Sequence, residues 1–173
     1  MLKKIDDSES LLDTAALAPL QRFVERECRL LDEQRFEEWL ALYLPEATYW
    51  APATRDNPDP DSQVSLFWDD KETMQTRVQR LLHPEIHSQI PASVTVRLTS
   101  NFRAAVAPGG EKDAYQVECR FIMVEDRLGS PRQQFAGTFN YLLVQNGAAF
   151  RIRQKRVDLT NCDHAFHTLT QPF

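Results

Sequence analysis

Apolar residues in the first quarter of the chain return every three or four positions: Leu17, Leu20, Val24, Cys28 and Leu31. That period lines one face of a helix and predicts its burial. Asp13 or Thr14 is the natural N-cap. The pattern continues through Phe36, Trp39, Leu40 and Tyr43, with room for a break between Asp32 and Gln34. Pro45 ends the helical run, because proline cannot extend the ladder and restrains the residue before it. Trp39 and Tyr43 therefore read as core. A second helical period, Met74, Val78, Leu81 and Leu82, spans 71–82 and closes at His83-Pro84.

The period then changes from helical to two. Val94, Val96, Leu98, Phe102, Ala104 and Val106 alternate with Thr95, Arg97, Thr99, Asn101 and Arg103, which predicts a long strand whose apolar members are buried. Tyr115, Val117, Cys119, Phe121 and Met123 form a second alternating set. Phe135, Phe139, Tyr141 and Leu143 form a third, and Phe150 and Ile152 open a fourth. In the last set the apolar parity moves to Val157 and Leu159, so a bulge is expected between Arg153 and Arg156. Pro108-Gly109-Gly110, Gly129-Ser130-Pro131 and Asn146-Gly147 supply the turns.

The expected fold is α+β: helices within 15–43 and 71–82, and strands over 93–107, 114–127, 133–145 and 148–160. The short turns call for an antiparallel meander wrapped on the helices. Two shorter strands fit Thr48–Ala51 and Val64–Trp68. Between them, Pro52 to Gln63 carries three prolines and no periodicity, which makes it a loop long enough to suspect of function. Residues 1–13 read as a tail on a single domain, 1–173.

Composition narrows the function. Apolar residues make up 42% and charged residues 26%, and the net charge is −5. A chain this acidic lacks the basic footprint that nucleic acid requires. No apolar run approaches the roughly 20 residues of a bilayer span, and the N-terminus has no secretory pattern, so a cytoplasmic protein is expected. Cys28, Cys119 and Cys162 are too few and too scattered for a disulfide framework.

The search for catalytic motifs is largely negative. There is no glycine-rich dinucleotide motif, phosphate loop or nucleophile elbow. Cys162-Asp163-His164 supplies one C-x-H, but the C-x-x-H that would complete a Rieske site is missing. Cys162, His164 and His167 lack an obvious fourth ligand for a lone metal. His83 and His87 have i, i+4 spacing, but Pro84 interrupts the helix that would align them. The basic group Arg151, Arg153, Lys155 and Arg156 reads first as the solvated face of a strand, and second as a patch for an acidic partner. Trp50 and Trp68 flank the proline-rich loop and read as surface anchors for another chain. The tail Ala165 to Phe173, with Phe166 and Phe173, is too apolar to lie free and should pack on something.

The order of several segments resembles one family. Glu27-Cys28-Arg29-Leu30-Leu31-Asp32, Phe36-Glu37-Glu38-Trp39-Leu40-Ala41-Leu42-Tyr43 and Tyr49-Trp50-Ala51-Pro52 are similar to the opening of the small (beta) subunits of aromatic-ring-hydroxylating dioxygenases. Thr76 to Leu81, Arg97-Leu98-Thr99-Ser100-Asn101-Phe102 and Lys155-Arg156-Val157-Asp158-Leu159 extend the resemblance over roughly residues 15 to 165. The benzoate, toluate and anthranilate type is the most similar. The resemblance implies a cystatin-like (NTF2-like) cone and no cofactor on this chain. It also implies self-association to a trimer and a large alpha subunit that carries a Rieske [2Fe-2S] cluster and a mononuclear iron. A separate NADH-dependent reductase that supplies electrons, and addition of both atoms of O2 to the ring, are implied by the same resemblance.

Scytalone dehydratase, ketosteroid isomerase and nuclear transport factor 2 share that cone and use its mouth as a pocket. The alternative is therefore a stand-alone pocket enzyme in which Asp32 or Tyr49 pairs with His83 or His87 as acid and base. Against it, Asp32 reads as a helix-end residue and Tyr49 as a core or interface aromatic.

Overall fold

The computed structural model describes residues 2, 5, 10–83, 91–109, 111, 113–166 and 169–173. Helix α1 (Thr14–Asp32) starts where Asp13 accepts a hydrogen bond from the Ala16 amide at 2.9 Å. It buries Leu20, Phe23, Val24, Glu27, Cys28, Leu30 and Leu31. Gln34, at φ 57°, turns the chain into α2 (Phe36–Leu40), where Phe36 and Trp39 are buried. The helical run is shorter than its period suggested. Tyr43 opens strand β1 (Tyr43–Pro52) and is buried there. Pro45 is tolerated inside this strand because it falls between Tyr43 and Thr48, where the pairing of β1 with its neighbour is interrupted.

Strand β2 (Ser65–Asp70) folds back on β1. Helix α3 (Lys71–Leu82) follows at once, its N-terminus capped by Asp70 on the Thr73 amide at 2.8 Å. Then come the long strands β3 (Val94–Val106), β4 (Ala114–Asp126), β5 (Gln133–Asn146) and β6 (Ala149–Leu159). They form an antiparallel meander within one six-stranded sheet of order β2-β1-β6-β5-β4-β3.

Two details, the first and third below, depart from the sequence expectation, and the second places an expected bulge. First, the sheet is mixed rather than wholly antiparallel, since β1 pairs with β6 in parallel. The two strands are joined through β2, α3 and the whole meander, so no short turn dictates their direction. Second, the bulge in β6 sits at Arg153. Leu142 faces Gln154 while Leu143 faces Ile152, leaving Arg153 as the extra residue. Lys155 therefore shares the inward face with Val157 and Leu159. Third, β3 is reversed over its first half. Thr95 and Arg97 are buried, whereas Val94, Val96 and Leu98 are 63%, 55% and 67% exposed. A register shift between Ser100 and Arg103, with Asn101 at φ 54°, restores the expected parity, so Ala104 is buried.

The core lies between the helices and the concave face of the sheet. It joins Leu20, Val24, Cys28 and Leu31 of α1 to Val117, Cys119, Phe121, Met123, Phe135, Phe139, Tyr141 and Leu143 of the meander.

Candidate functional site

The floor of the cone holds charge where a core would ordinarily be apolar. Glu27 continues the buried stripe Leu20, Val24, Leu31 at helical spacing and is fully buried. Its Oε1 accepts from Trp39 Nε1 at 2.9 Å, Lys155 Nζ at 2.7 Å and Tyr43 Oη at 3.3 Å, and its Oε2 accepts from Tyr141 Oη at 2.7 Å. Lys155 is also fully buried, and its ammonium lies 4.4 Å from the centre of the Phe139 ring. A buried ion pair is tolerated only when its remaining donors and acceptors are satisfied, and four donors on one carboxylate meet that condition. The cost appears in the neighbours. Burial first, and the Glu27 charge after it, hold the Tyr43 and Tyr141 hydroxyls well above the usual tyrosine range. The same two causes push the Cys28 thiol up to about 12.

Above this floor sits the chain's own tail. Phe173 is buried with its ring stacked on Phe67 at 6.2 Å and edge-on to Phe135 at 5.1 Å. Its amide donates to Tyr49 Oη at 2.7 Å, and its main-chain oxygen accepts from Lys155 Nζ at 2.5 Å and from Tyr49 Oη at 3.3 Å. The Pro172 carbonyl accepts from Arg97, which also pairs with Asp32. Asp32 in turn accepts from Thr95 Oγ1 and the Arg97 amide, each at 2.9 Å.

These contacts give the proposed acid–base residues other work. Asp32 ties the end of α1 to β3. Tyr49 holds the tail with a hydroxyl kept neutral, its titration pushed up chiefly by burial. His83 is the exposed C-cap of α3, and His87 lies outside the described residues. Among the described residues no group of three or more His, Cys, Asp or Glu side chains is placed to hold a metal ion. Cys162 is buried and His164 is exposed, while His167 lies outside the described residues. No described helix is long and apolar enough to cross a membrane.

Residues 26–163 match the family model for the ring hydroxylating beta subunit. The chain belongs to that family. The benzoate 1,2-dioxygenase subunit beta of Acinetobacter baylyi is 28% identical over 162 residues, spanning 90% of this chain and 92% of that one. The crystal structure of the benzoate 1,2-dioxygenase beta subunit from Burkholderia mallei aligns with a TM-score of 0.71 at 26% identity, covering 87% of this chain and 94% of the other. A candidate scytalone dehydratase from Novosphingobium aromaticivorans shares the fold, with a TM-score of 0.64 at 12% identity over 84% of this chain and 85% of its own. The chain is thus a ring hydroxylating beta subunit by family, on a fold that it shares with that candidate scytalone dehydratase.

Several of the surface anchors suggested by the sequence turn inward. Trp50 is fully buried, its Nε1 donating to Ser65 Oγ at 2.8 Å and its ring covered edge-on by Trp68. Arg156 is buried too. It stacks on Trp50 at 4.5 Å, pairs with Asp158 and donates to the Asn57 carbonyl at 2.7 Å, which pins the proline-rich loop from beneath. Lys155 is not on a solvated face, and Phe173 fills the cone. Phe166 is half-buried against Phe135. Arg151 and Arg153 are half-buried, Arg153 pairing with Glu111 at 2.5 Å, and Trp68 remains 42% exposed.

The sequence reading missed Glu27 and the outward apolar stripe. The helical spacing of Glu27 signalled the first, but its charge argued against burial. The stripe Val94, Val96, Leu98 was visible in the sequence and assigned to the wrong face. Ile122 of β4, 52% exposed, pairs directly beside Leu98 and widens it.

Proposed function

We propose that this beta subunit is the non-catalytic scaffold of the terminal oxygenase of a benzoate-type aromatic-acid dioxygenase. In this reading three copies associate around an axis and hold large alpha subunits that carry the Rieske cluster and the mononuclear iron. An NADH-dependent reductase feeds them electrons in the cytoplasm, and cis-dihydroxylation of the aromatic acid occurs on the large subunit. One contrast carries the reading. The interior of the cone is filled by the chain's own tail, with its polar groups engaged there, while an apolar stripe on the outside of β3 and β4 lies uncovered. Contiguous exposed apolar surface of this kind is typical of a face that another chain covers. A trimer around an axis needs two different patches on each copy, and the stripe and the Trp68 edge of the sheet supply two.

Co-expression with a benzoate-type large subunit tests this directly. The expected product, by sedimentation or light scattering, is a hexamer of three small and three large chains, with iron found on the large chain. A strict monomer at micromolar concentration, unchanged by the large subunit, would overturn the scaffold role and favour the pocket-enzyme alternative.

A further inference from the structure

The outer face of the sheet changes character from one edge to the other. At the β3 edge Val94, Val96, Leu98 and Ile122 are each more than half exposed. Arg120, exposed and two residues along β4 from Ile122, borders them on the same face. On the far side of the stripe the Asp126–Arg132 ion pair is neutral as a unit. At the β2 edge Trp68 is 42% exposed, and Val64, just ahead of the strand, is 76% exposed. Acids border this second patch. Asp70 is exposed two residues from Trp68, and Asp61 is exposed three residues before Val64. The hydrogen bond from the Thr73 amide holds the Asp70 carboxyl below its ordinary value, so it keeps its charge. Lys71 beside it turns its ammonium away, to the Leu40 and Tyr43 carbonyls. Each patch is thus an apolar centre with a charged rim, and the two rims have opposite sign.

The β3 edge is tied along its length. Gln34 Nε2 donates to the Ser93 carbonyl at 3.0 Å, Asp32 accepts from the Arg97 amide at 2.9 Å, and the Leu12 amide donates to the Ala104 carbonyl at 2.8 Å. A partner on the stripe therefore meets its side chains face-on rather than extending the sheet. Pairing either patch with itself across a twofold axis would set like charges together. Pairing one patch with the other sets Arg120 against acids. From this complementarity we propose that the stripe of one copy seats on the Trp68 edge of the next, head to tail. The core lies on the concave side, so the outer face is convex and its two edges look in different directions, as ring closure requires. The occupant of each patch is a second copy of this chain. This rests on the scaffold reading and deepens it, and it leaves the large alpha subunits to bind elsewhere on the ring.

The test uses two variants of the full chain, Leu98→Glu for the stripe and Trp68→Glu for the edge, followed by sedimentation over a micromolar concentration series. Each alone should need at least ~30-fold more protein than the unsubstituted chain to assemble, the loss expected for one central anchor. Mixed in equal amounts where each alone is monomeric, they should form a dimer and stop there. One chain then offers an intact edge and the other an intact stripe, so a single contact forms and the ring cannot close. A mixture that stays monomeric throughout, or a variant that dimerises by itself, overturns the pairing. Variants that assemble as well as the unsubstituted chain overturn the pairing but leave the scaffold role standing. An unsubstituted chain that is monomeric alone also overturns the pairing, and one that is monomeric with the large subunit as well overturns the scaffold role with it. If Trp68→Glu uncovers Trp50 and does not fold by circular dichroism, Val64→Glu takes its place on the same edge.

Discussion

The two faces of β3 carry opposite chemistry, and each is the reverse of what a strand on a hydrophobic core would show. Inward, Thr95 and Arg97 are buried and bind Asp32 at the end of α1 and the carbonyl of Pro172. Outward, Val94, Val96 and Leu98 stand more than half exposed beside Ile122. The inward face is polar because it clamps a helix end and a tail, both of which bring unsatisfied main-chain groups that apolar side chains could not serve. The outward face is apolar and exposed, with nothing among the described residues covering it, and an isolated subunit gains nothing by that. The contrast teaches that, in this cone, polar residues inside signal architecture and apolar residues outside signal partners. In pocket enzymes of the same fold the interior would be the place to look for chemistry.

The interior half of this comparison breaks hardest at Lys155. Lys155→Met keeps most of the volume but strands the Glu27 carboxylate, and losing one partner of a buried pair costs about 3–5 kcal/mol. Urea unfolding should show that loss, and Glu27→Gln combined with Lys155→Met should recover part of it. A double variant whose loss equals the sum of the two single-variant losses would mean that the pair is not coupled. Arg97→Leu comes next. It should cost about 2–3 kcal/mol, the range for losing hydrogen bonds to a charged group, because Asp32 keeps some access to water. A loss under about 0.5 kcal/mol in the same assay would show that the inward face of β3 is not a clamp.

Much of the fold follows from period alone. The helix over 71–82 and the four long strands lie within a residue or two of where alternation and turn residues set them. What period cannot settle is which face is inside when a strand contains a bulge. In β3 the flip near Asn101 lies downstream of Val94, Val96 and Leu98, and pattern gives no reason to put Thr95 and Arg97 within. In β6 the parity of Val157 and Leu159, counted back two residues, already places Lys155 inward, yet a lysine beside three arginines reads as surface. The candidate site was less legible for a related reason. Glu27 is separated from Lys155 and Phe173 by most of the chain, and Lys155 meets both only after the sheet has closed. Trp50 shows the same limit, since the Ser65 hydroxyl that makes its burial possible comes from the far side of a loop.

A smaller effect sharpens the interior by pH. The Cys28 thiol has an ordinary value of 9.0 and is pushed up to about 12 in the fold. Between those values the folded chain holds a proton that the unfolded chain releases, so stability is complete below pH 9 and falls as pH rises toward 12. The hydroxyls of Tyr43, Tyr49 and Tyr141, raised in the same direction, add to the loss above about pH 10. Urea midpoints should be flat from pH 7 to 8.5 and then decline, by at most ~1.4 kcal/mol per pH unit from Cys28 alone. A midpoint that holds steady to pH 11 would place water around these groups.

The smallest change in folding is expected one residue from Arg97, and it bears on the outer half of the comparison. Leu98→Ser removes an apolar side chain that is 67% exposed, so the stability of the separate chain should move by no more than about 0.5 kcal/mol. If the stripe Val94, Val96, Leu98 and Ile122 is a covered face of the assembly, the same substitution removes a buried contact there. Anchors at the centre of such faces are worth ~2 kcal/mol or more, equivalent to a roughly 30-fold weaker association. Sedimentation across a concentration series separates the two effects. Dissociation should shift to higher concentration for Leu98→Ser while the urea midpoint of the dilute chain stays put. A fall in that midpoint with assembly unchanged would mean that the stripe is covered by this chain itself, and the partner face would then have to be sought at the Trp68 edge. An unchanged midpoint with unchanged assembly would remove Leu98 from the interface.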